Sequence, residues 1–141
     1  MPFEAIKDVS YTTSATATGG RKGLVRSEDG VLDLPLGQPG STTNPKANPE
    51  TLFAAGYAAC FSSALNAVAR RQGLDTSAST VTAEVTLGST DTGFGLAVTL
   101  VAAIPGVEHE QAGRLVEAAH RTCPYSKATR GNIPVTVTAS G

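Results

Sequence analysis

The two cysteines are the residues whose chemistry stands out first, because a pair of thiols can bind a metal, form a disulfide or act as a nucleophile. Cys60 lies in the nearly uncharged stretch NPETLFAAGYAACFSSAL (48–65), and Cys123 follows it at a distance and directly precedes Pro124. A lone cysteine in an apolar helix is usually a small buried side chain. A cysteine at the start of a helix lies near free N–H groups, which favour the thiolate. Local chemistry alone therefore leaves open which sulfur is the nucleophile.

Two other kinds of cysteine chemistry compete with a redox pair. His120 and Cys123 form an H-x-x-C spacing that, with Cys60 and His109, could make a tetrahedral metal site. His120 could also act as the base of a cysteine acyl-transfer pair. The sequence contains neither a C-x-x-C motif nor a recognisable oxyanion-hole motif. It therefore predicts no metal and disfavours acyl transfer.

A reactive Cys60 would need a cation, because burial raises the pKa of a thiol. The candidate cations are Arg21, Lys22, Arg26 and Arg130. A basic side chain inside an apolar site would itself need a carboxylate partner. Glu50 could supply it, although a carboxylate in the first turn of a helix is also explained by the helix dipole.

The elements that must position these residues follow from periodicity and turn signals. In the first half of the chain the pattern predicts strands near 9–18, 22–27 and 31–35 with a turn at 28–30, then a loop at 37–49 and a helix from about 49 to 72. In the second half it predicts a hairpin at 79–88 and 94–104, a helix at 108–122, a short helical turn from 124 and a strand at 133–140. The second helix should bury Ala112, Leu115, Val116 and Ala119. The order βββ-α-ββ-α-β is typical of an α+β fold.

Composition limits the class of protein. The chain has 141 residues, which predicts a single domain over 1–141. Its net charge of −1 comes from 11 basic and 12 acidic side chains, so nothing indicates nucleic-acid binding. The longest apolar run, around LAVTLVAAI, is too short for a membrane span, and a cytoplasmic protein is expected. Thiols stay reduced in that compartment, so a disulfide there would belong to a redox cycle.

Three stretches resemble the signature segments of the organic hydroperoxide resistance (Ohr) proteins, a branch of the Ohr/OsmC superfamily. They are GGRKGLVRSEDGVLDL, NPETLFAAGYAACF and TCPYSKATRGNIPV, and they stand in the family order along nearly the whole chain. CPYS (123–126) is more similar to the Ohr branch than to the OsmC branch. Lys22 replaces the usual family asparagine, and the 37–49 loop departs from the common pattern. The resemblance implies an OsmC-like fold of curved antiparallel sheets around a central buried helix, in an intertwined homodimer.

The resemblance also implies an enzyme, a cysteine-based peroxidase of the oxidative stress response. Cys60 matches the family's peroxidatic cysteine and Cys123 its resolving cysteine. Arg21 matches the arginine that activates the thiolate, and Glu50 the carboxylate that orients it. The expected reaction converts alkyl and fatty-acid hydroperoxides to alcohols through a Cys60 sulfenic acid and a Cys60–Cys123 disulfide. The expected reductant is external, dihydrolipoamide or a lipoylated protein, and no cofactor is expected to be bound.

The substrate pocket and the dimer follow from the same helix. Leu52, Phe53, Tyr57 and Tyr125 are the candidates for an apolar pocket. Glu50 and Cys60 stand ten positions apart, about 15 Å along a helix, so the Glu50 of each site is expected from the partner subunit. The small residues Gly56, Ala59, Cys60 and Ser63 would let two such helices cross closely. The alternative function is a non-enzymatic redox sensor or hydroperoxide-binding protein that uses the same disulfide.

Overall fold

The computed structural model describes residues 3–140. The strands are β1 (Ala15–Thr18), β2 (Leu24–Ser27), β3 (Asp33–Pro35), β4 (Thr80–Thr90), β5 (Gly93–Ala103) and β6 (Val135–Ser140). The helices are α1 (Pro49–Arg71), α2 (His109–Thr122) and α3 (Pro124–Thr129), with a short 3₁₀-helix at Gly20–Lys22. The chain divides into two compact units, one up to Pro49 and one from Glu50 onward. The single domain predicted over 1–141 stays a prediction, and its residues 1, 2 and 141 lie outside the described part.

The first unit is built on a small antiparallel sheet of order β1-β2-β3. The predicted turn at 28–30 is confirmed: the Gly30 N–H donates to the Ser27 carbonyl at 3.0 Å, and Gly30 has a φ of 76°. The first strand is shorter than the predicted 9–18. β2 has only four residues before this turn, and its ladder therefore pairs four residues of β1, from Ala15 to Thr18.

The second unit contains a sheet of order β4-β5-β6. β4 and β5 form the predicted antiparallel hairpin, and β6 pairs with β5 in parallel from Val98 and Val135 onward. The expectation of purely antiparallel sheets is therefore wrong for the last strand. Parallel neighbours need a long crossover connection, which α2 and α3 provide here.

The two long helices bury one face each in the core of the second unit. In α2 the four predicted residues Ala112, Leu115, Val116 and Ala119 are all buried. In α1 the buried residues are Tyr57, Phe61, Leu65, Val68 and Ala69. On α1 the side chains of Thr51, Ala55, Ala59 and Ser63 are exposed. These four residues form one stripe of the helix, so the expected central buried helix leaves one stripe uncovered within this chain.

The ends of α1 follow the sequence signals closely. The helix begins at Pro49, whose ring suits the first turn, where a backbone N–H has no helical partner. It ends at Arg71, one residue before the predicted end. Gly73 has a φ of 72°, and the Leu74 N–H donates to the Ala69 carbonyl at 2.9 Å. A glycine with positive φ after the last turn is a common way to end a helix.

By length and composition α1 could cross a membrane, with a mean hydropathy of 1.4 over its most apolar window. The sequence expectation concerned the longest uninterrupted apolar run, around LAVTLVAAI, and a single helix that passes this test is weak evidence for a membrane span. The core helix of a globular protein passes the same test. Here the buried face of α1 belongs to one core cluster with side chains from β5 and α2.

Candidate active site around Cys60 and Cys123

The two cysteine sulfurs lie together in the second unit. Cys60 is half-buried on α1, and Cys123 is fully buried at the junction of α2 and α3. The Sγ atoms are 3.5 Å apart although the residues are 63 positions apart in the chain. Both thiols are free. A disulfide has an S–S distance of about 2.05 Å, so an approach of roughly 1.5 Å would join them.

Local sequence fixes the position of Cys123. Its N–H donates to the Ala119 carbonyl at 2.8 Å, which closes the last turn of α2. Its own carbonyl accepts from the Lys127 N–H at 2.9 Å, which opens α3. Between these bonds its backbone is extended, with ψ of 124°, as is favoured for a residue before proline. The Cys123 side chain is therefore held by hydrogen bonds on both sides.

The surroundings of Cys60 disfavour its thiolate. Burial raises the pKa of the Cys60 thiol, a hydrogen bond from the Tyr125 backbone N–H lowers it, and the neighbouring Cys123 raises it. Burial is the largest of these effects, and the pKa is raised overall. The residues around Cys60 in this unit therefore do not by themselves favour the thiolate, and the activated thiolate that the resemblance implies would need a cation nearby.

The candidate cations have different settings. Arg21 and Lys22 are exposed on the 3₁₀-helix of the first unit. Arg26 pairs with Asp33 across β2 and β3, Nε to Oδ2 at 3.4 Å. The Arg130 guanidinium donates to the carbonyl of His120. Arg26 and Arg130 thus each have a partner other than the sulfurs, and the role assigned to Arg21 stays a prediction.

Glu50 and Cys60 are not brought together within one chain. Glu50 lies in the first turn of α1 and Cys60 lies ten residues further along the same continuous helix. At about 1.5 Å per residue the two positions are separated by about 15 Å along the axis. The expectation that a partner subunit supplies Glu50 is compatible with this spacing and stays a prediction.

Three of the four predicted pocket residues form an aromatic cluster. The ring centroids of Phe53 and Tyr57 are 5.9 Å apart, those of Phe53 and Tyr125 6.1 Å, and those of Tyr57 and Tyr125 5.6 Å. Leu52 is half-buried one residue before Phe53. Because the Tyr125 N–H also bonds Cys60, the aromatic cluster lies next to the sulfurs.

Gly56 has a packing reason that differs from the expected one. A Cβ at this position would lie 2.7 Å from the Tyr125 hydroxyl oxygen and 3.2 Å from its Cζ. The tyrosine ring therefore occupies the space that a side chain would take. Within this chain Gly56 admits Tyr125 rather than the backbone of a second helix.

A buried hydroxyl network beside the sulfurs escaped the sequence analysis. The Tyr57 hydroxyl lies 2.8 Å from Ser126 Oγ and 3.1 Å from Thr129 Oγ1. Ser126 Oγ in turn lies 2.7 Å from Nδ1 of His120. A signal for it was present, since a buried tyrosine needs a hydrogen-bond partner and residues three apart, such as Ser126 and Thr129, share a helix face.

The four residues considered for a metal site do not assemble. His109 lines a cavity of about 810 Å³ with Arg114 and Val137, among others, whereas His120 bonds Ser126. Neither cysteine lines this cavity. Within residues 3–140, no group of three or more His, Cys, Asp or Glu side chains is arranged to hold a metal ion.

His120 makes the stability of the protein depend on pH. Burial and the positive charge of Arg130 lower its pKa below the ordinary 6.5, and Glu117 opposes this. The unfolded chain therefore binds a proton more readily than the folded one, and stability is lost as pH falls through 6.5. In His120→Asn this loss should shrink, because the group no longer titrates.

Urea unfolding midpoints at pH 7.5 and 5.5 check the His120 prediction. His109→Asn, at an exposed position of α2, is the matched control. An equal loss of stability on acidification in the parent protein and in His120→Asn would contradict it.

Comparison with known proteins places this site in a family. Residues 40–138 match the OsmC-like protein family. The chain is 47% identical over 134 residues to an organic hydroperoxide resistance protein of Xanthomonas axonopodis pv. citri, covering 92% of this chain and 94% of that one. It is 46% identical over 129 residues to organic hydroperoxide resistance protein OhrB of Bacillus subtilis, with coverages of 89% and 94%.

Solved structures agree with the sequence relatives. The crystal structure of Bacillus subtilis OhrB matches with a TM-score of 0.86 and 44% identity, over 92% of this chain and 98% of that chain. The crystal structure of an organic hydroperoxide resistance protein from Elizabethkingia anophelis matches with a TM-score of 0.88 and 52% identity, over 96% and 99%. The α+β fold predicted from the sequence is thereby confirmed as OsmC-like. The chain belongs to the OsmC-like family, in its organic hydroperoxide resistance branch.

Proposed function

We propose that this protein takes part in resistance to organic hydroperoxides as a thiol-dependent peroxidase that reduces them to alcohols. The observation that carries the proposal is the 3.5 Å separation of the Cys60 and Cys123 sulfurs, which suits a disulfide cycle. The names of its relatives, which refer to organic hydroperoxide resistance, support the class of substrate.

In the first step the Cys60 thiolate attacks the outer oxygen of the hydroperoxide. The S–O bond forms as the O–O bond breaks, Cys60 becomes a sulfenic acid, and the alkoxide takes up a proton to leave as the alcohol. Arg21 is assigned to stabilise the thiolate and the developing alkoxide charge, and Glu50 of a partner subunit to orient Arg21. The raised pKa of Cys60 supports the need for such a cation.

In the second step the Cys123 thiol condenses with the sulfenic acid. The S–S bond forms, the S–O bond breaks, and the oxygen leaves as water with the thiol proton. An external dithiol then reduces the disulfide by exchange, and we assign this role to dihydrolipoamide or a lipoylated protein. In this proposal the protein works as a homodimer in the cytoplasm and holds no cofactor.

The aromatic cluster is the proposed binding surface for the organic part of the substrate. Phe53 and Tyr125 keep exposed ring surface that can pack against an alkyl or fatty-acid chain, and the fully buried Tyr57 packs against both rings. Hydrogen peroxide has no apolar group to bury there. The proposal therefore predicts a preference for organic peroxides.

Single-turnover kinetics test this function. Reduced protein is mixed with tert-butyl hydroperoxide or hydrogen peroxide, and the product is identified by mass spectrometry. Faster loss of the organic peroxide, with loss of two hydrogens as a Cys60–Cys123 bridge, supports the proposal. Repeated turnover with dihydrolipoamide distinguishes an enzyme from a redox sensor, which would oxidise only once. Two free thiols after exposure to both peroxides in turn would refute the proposal.

On the proposed mechanism Arg21 lowers the pKa of Cys60, so removing Arg21 should raise it. In Arg21→Ala the positive charge that favours the thiolate is lost, while burial of the sulfur remains. The pH dependence of Cys60 alkylation by iodoacetamide, measured in a Cys123→Ser background, reports this pKa. Lys22→Ala, at the neighbouring exposed position, is the control. An unchanged pKa in Arg21→Ala would remove Arg21 from the mechanism.

A further inference from the structure

The buried hydroxyl network has a fixed direction that can be deduced by counting hydrogens. Four hydrogen bonds run from His120 Nδ1 to Ser126 Oγ, on to the Tyr57 hydroxyl, on to Thr129 Oγ1, and from there to the Ser126 carbonyl. Each of the three hydroxyl groups can donate only one hydrogen. The last bond uses that of Thr129, the third that of Tyr57 and the second that of Ser126. No hydroxyl hydrogen is left for the first bond, so its hydrogen must lie on Nδ1 of His120.

The direction of the hydrogen bonds determines which ring nitrogen of His120 carries the hydrogen. Burial and Arg130 favour the uncharged imidazole, and Glu117 opposes them. A neutral imidazole with hydrogen on Nδ1 has none on Nε2. The ring is therefore a donor toward Ser126, and the bond it makes selects its tautomer.

The network ties three helices together at the sulfurs. Tyr57 comes from α1, one turn before Cys60, His120 comes from the last turn of α2, and Ser126 and Thr129 come from α3. Tyr57 and Ser126 are fully buried and Thr129 nearly so, and no water can replace a lost partner without entering the core. Both groups that act on the Cys60 sulfur, the Cys123 thiol and the Tyr125 N–H, lie in the three residues directly before Ser126.

We infer that His120, Ser126 and Tyr57 are positioning residues for formation of the Cys60–Cys123 disulfide. They hold the start of α3 against α1 so that the Cys123 sulfur meets the Cys60 sulfenic acid. The sulfurs need to approach by roughly 1.5 Å, and a misplacement of about 1 Å is enough to slow a reaction substantially. This inference rests on the proposed peroxidase function, whose second step it concerns.

The test separates the two steps in rapid-quench experiments with tert-butyl hydroperoxide. In Ser126→Ala, the rate of disulfide formation relative to the rate of peroxide loss should fall roughly tenfold. A larger share of Cys60 should then gain two oxygens as sulfinic acid, because the sulfenic acid persists. Tyr57→Phe keeps the ring but removes the hydroxyl that bonds Ser126 and Thr129. It should also lower the relative rate of disulfide formation and raise the yield of sulfinic acid.

A matched control and a spectroscopic measurement distinguish positioning from general destabilisation. Thr76→Val also removes a buried hydroxyl, which donates to Asn66 Oδ1 over 2.6 Å and is not part of the network beside the sulfurs. This variant should leave the relative rate of disulfide formation and the sulfinic acid yield unchanged. Nitrogen NMR of the parent should show His120 as the Nδ1–H tautomer, and Ser126→Ala should lose this preference.

Each contrary result has a definite meaning. Parent-like disulfide rates and sulfinic acid yields in both Ser126→Ala and Tyr57→Phe would overturn the inference and leave the peroxidase intact. So would an Nε2–H tautomer of His120 in the parent, or an equal change in Thr76→Val. A parent protein that fails to consume the peroxide would instead refute the proposed function, and the inference with it.

Discussion

Replacing Cys60 by Ser is expected to reduce consumption of tert-butyl hydroperoxide to the rate of the uncatalysed mixture. A hydroxyl at this half-buried position of α1 stays protonated and has no sulfur to oxidise, so the first step cannot occur. Peroxide loss in the presence of dihydrolipoamide measures the effect. Because serine and cysteine have nearly the same shape, the unfolding midpoint should change little.

The Cys60→Ser experiment also tests the order of the two sulfurs. The local settings alone left this order open, and only the family resemblance assigned the first attack to Cys60. If peroxide loss persists in Cys60→Ser and disappears in Cys123→Ser, then Cys123 is the attacking cysteine and Cys60 the resolving one. The sulfenic acid, trapped with dimedone and located by peptide mass spectrometry, identifies the attacking residue directly.

Replacing Cys123 by Ser is expected to preserve the first attack and to abolish turnover. The fully buried Cys123 lies 3.5 Å from Cys60 and is the thiol placed to condense with its sulfenic acid. Without it, about one equivalent of peroxide is consumed per protein, and excess peroxide then drives Cys60 to sulfinic acid. Single-turnover and multiple-turnover assays on the same preparation measure both effects.

Two outcomes would contradict the Cys123 prediction. Loss of the first attack in Cys123→Ser, equal to that in Cys60→Ser, would show that the two sulfurs do not have separate roles. Undiminished turnover with dihydrolipoamide would show that the dithiol reduces the sulfenic acid without an internal disulfide. Thr122→Ser, at the exposed residue directly before Cys123, is the control for changes at this junction.

Local signals in the sequence predicted the elements but not all of their partners. Pro49 and Gly73 fix the two ends of α1 because each suits one end of a helix. The buried stripe of α2 was predicted because its apolar residues recur with the helical period. The parallel pairing of β6 was not predictable, since the alternation in VTVTAS is the same for a strand with a parallel or an antiparallel neighbour.

In the candidate site, too, the sequence predicted individual residues but not which of them contact each other. The cysteines were singled out by residue type, yet their contact joins distant parts of the chain and required the fold to reveal it. The placement of Tyr125 over Gly56 and the network around Ser126 are also contacts between helices. Spacing along the chain says which residues share a helix face, but not which face of another helix lies opposite.

The crossover that carries Cys123 has a consequence for the protein during its synthesis. The chain emerges from the ribosome with Cys60 first, and the residue that meets it follows 63 positions later. At about 5–20 residues per second, Cys60 exists for roughly 3–13 s before Cys123 has been made. Through that interval a Cys60 sulfenic acid would have no resolving thiol in its own chain. On the proposed mechanism, any Cys60 oxidised in that interval would lack its internal rescue and would be open to irreversible oxidation to sulfinic acid.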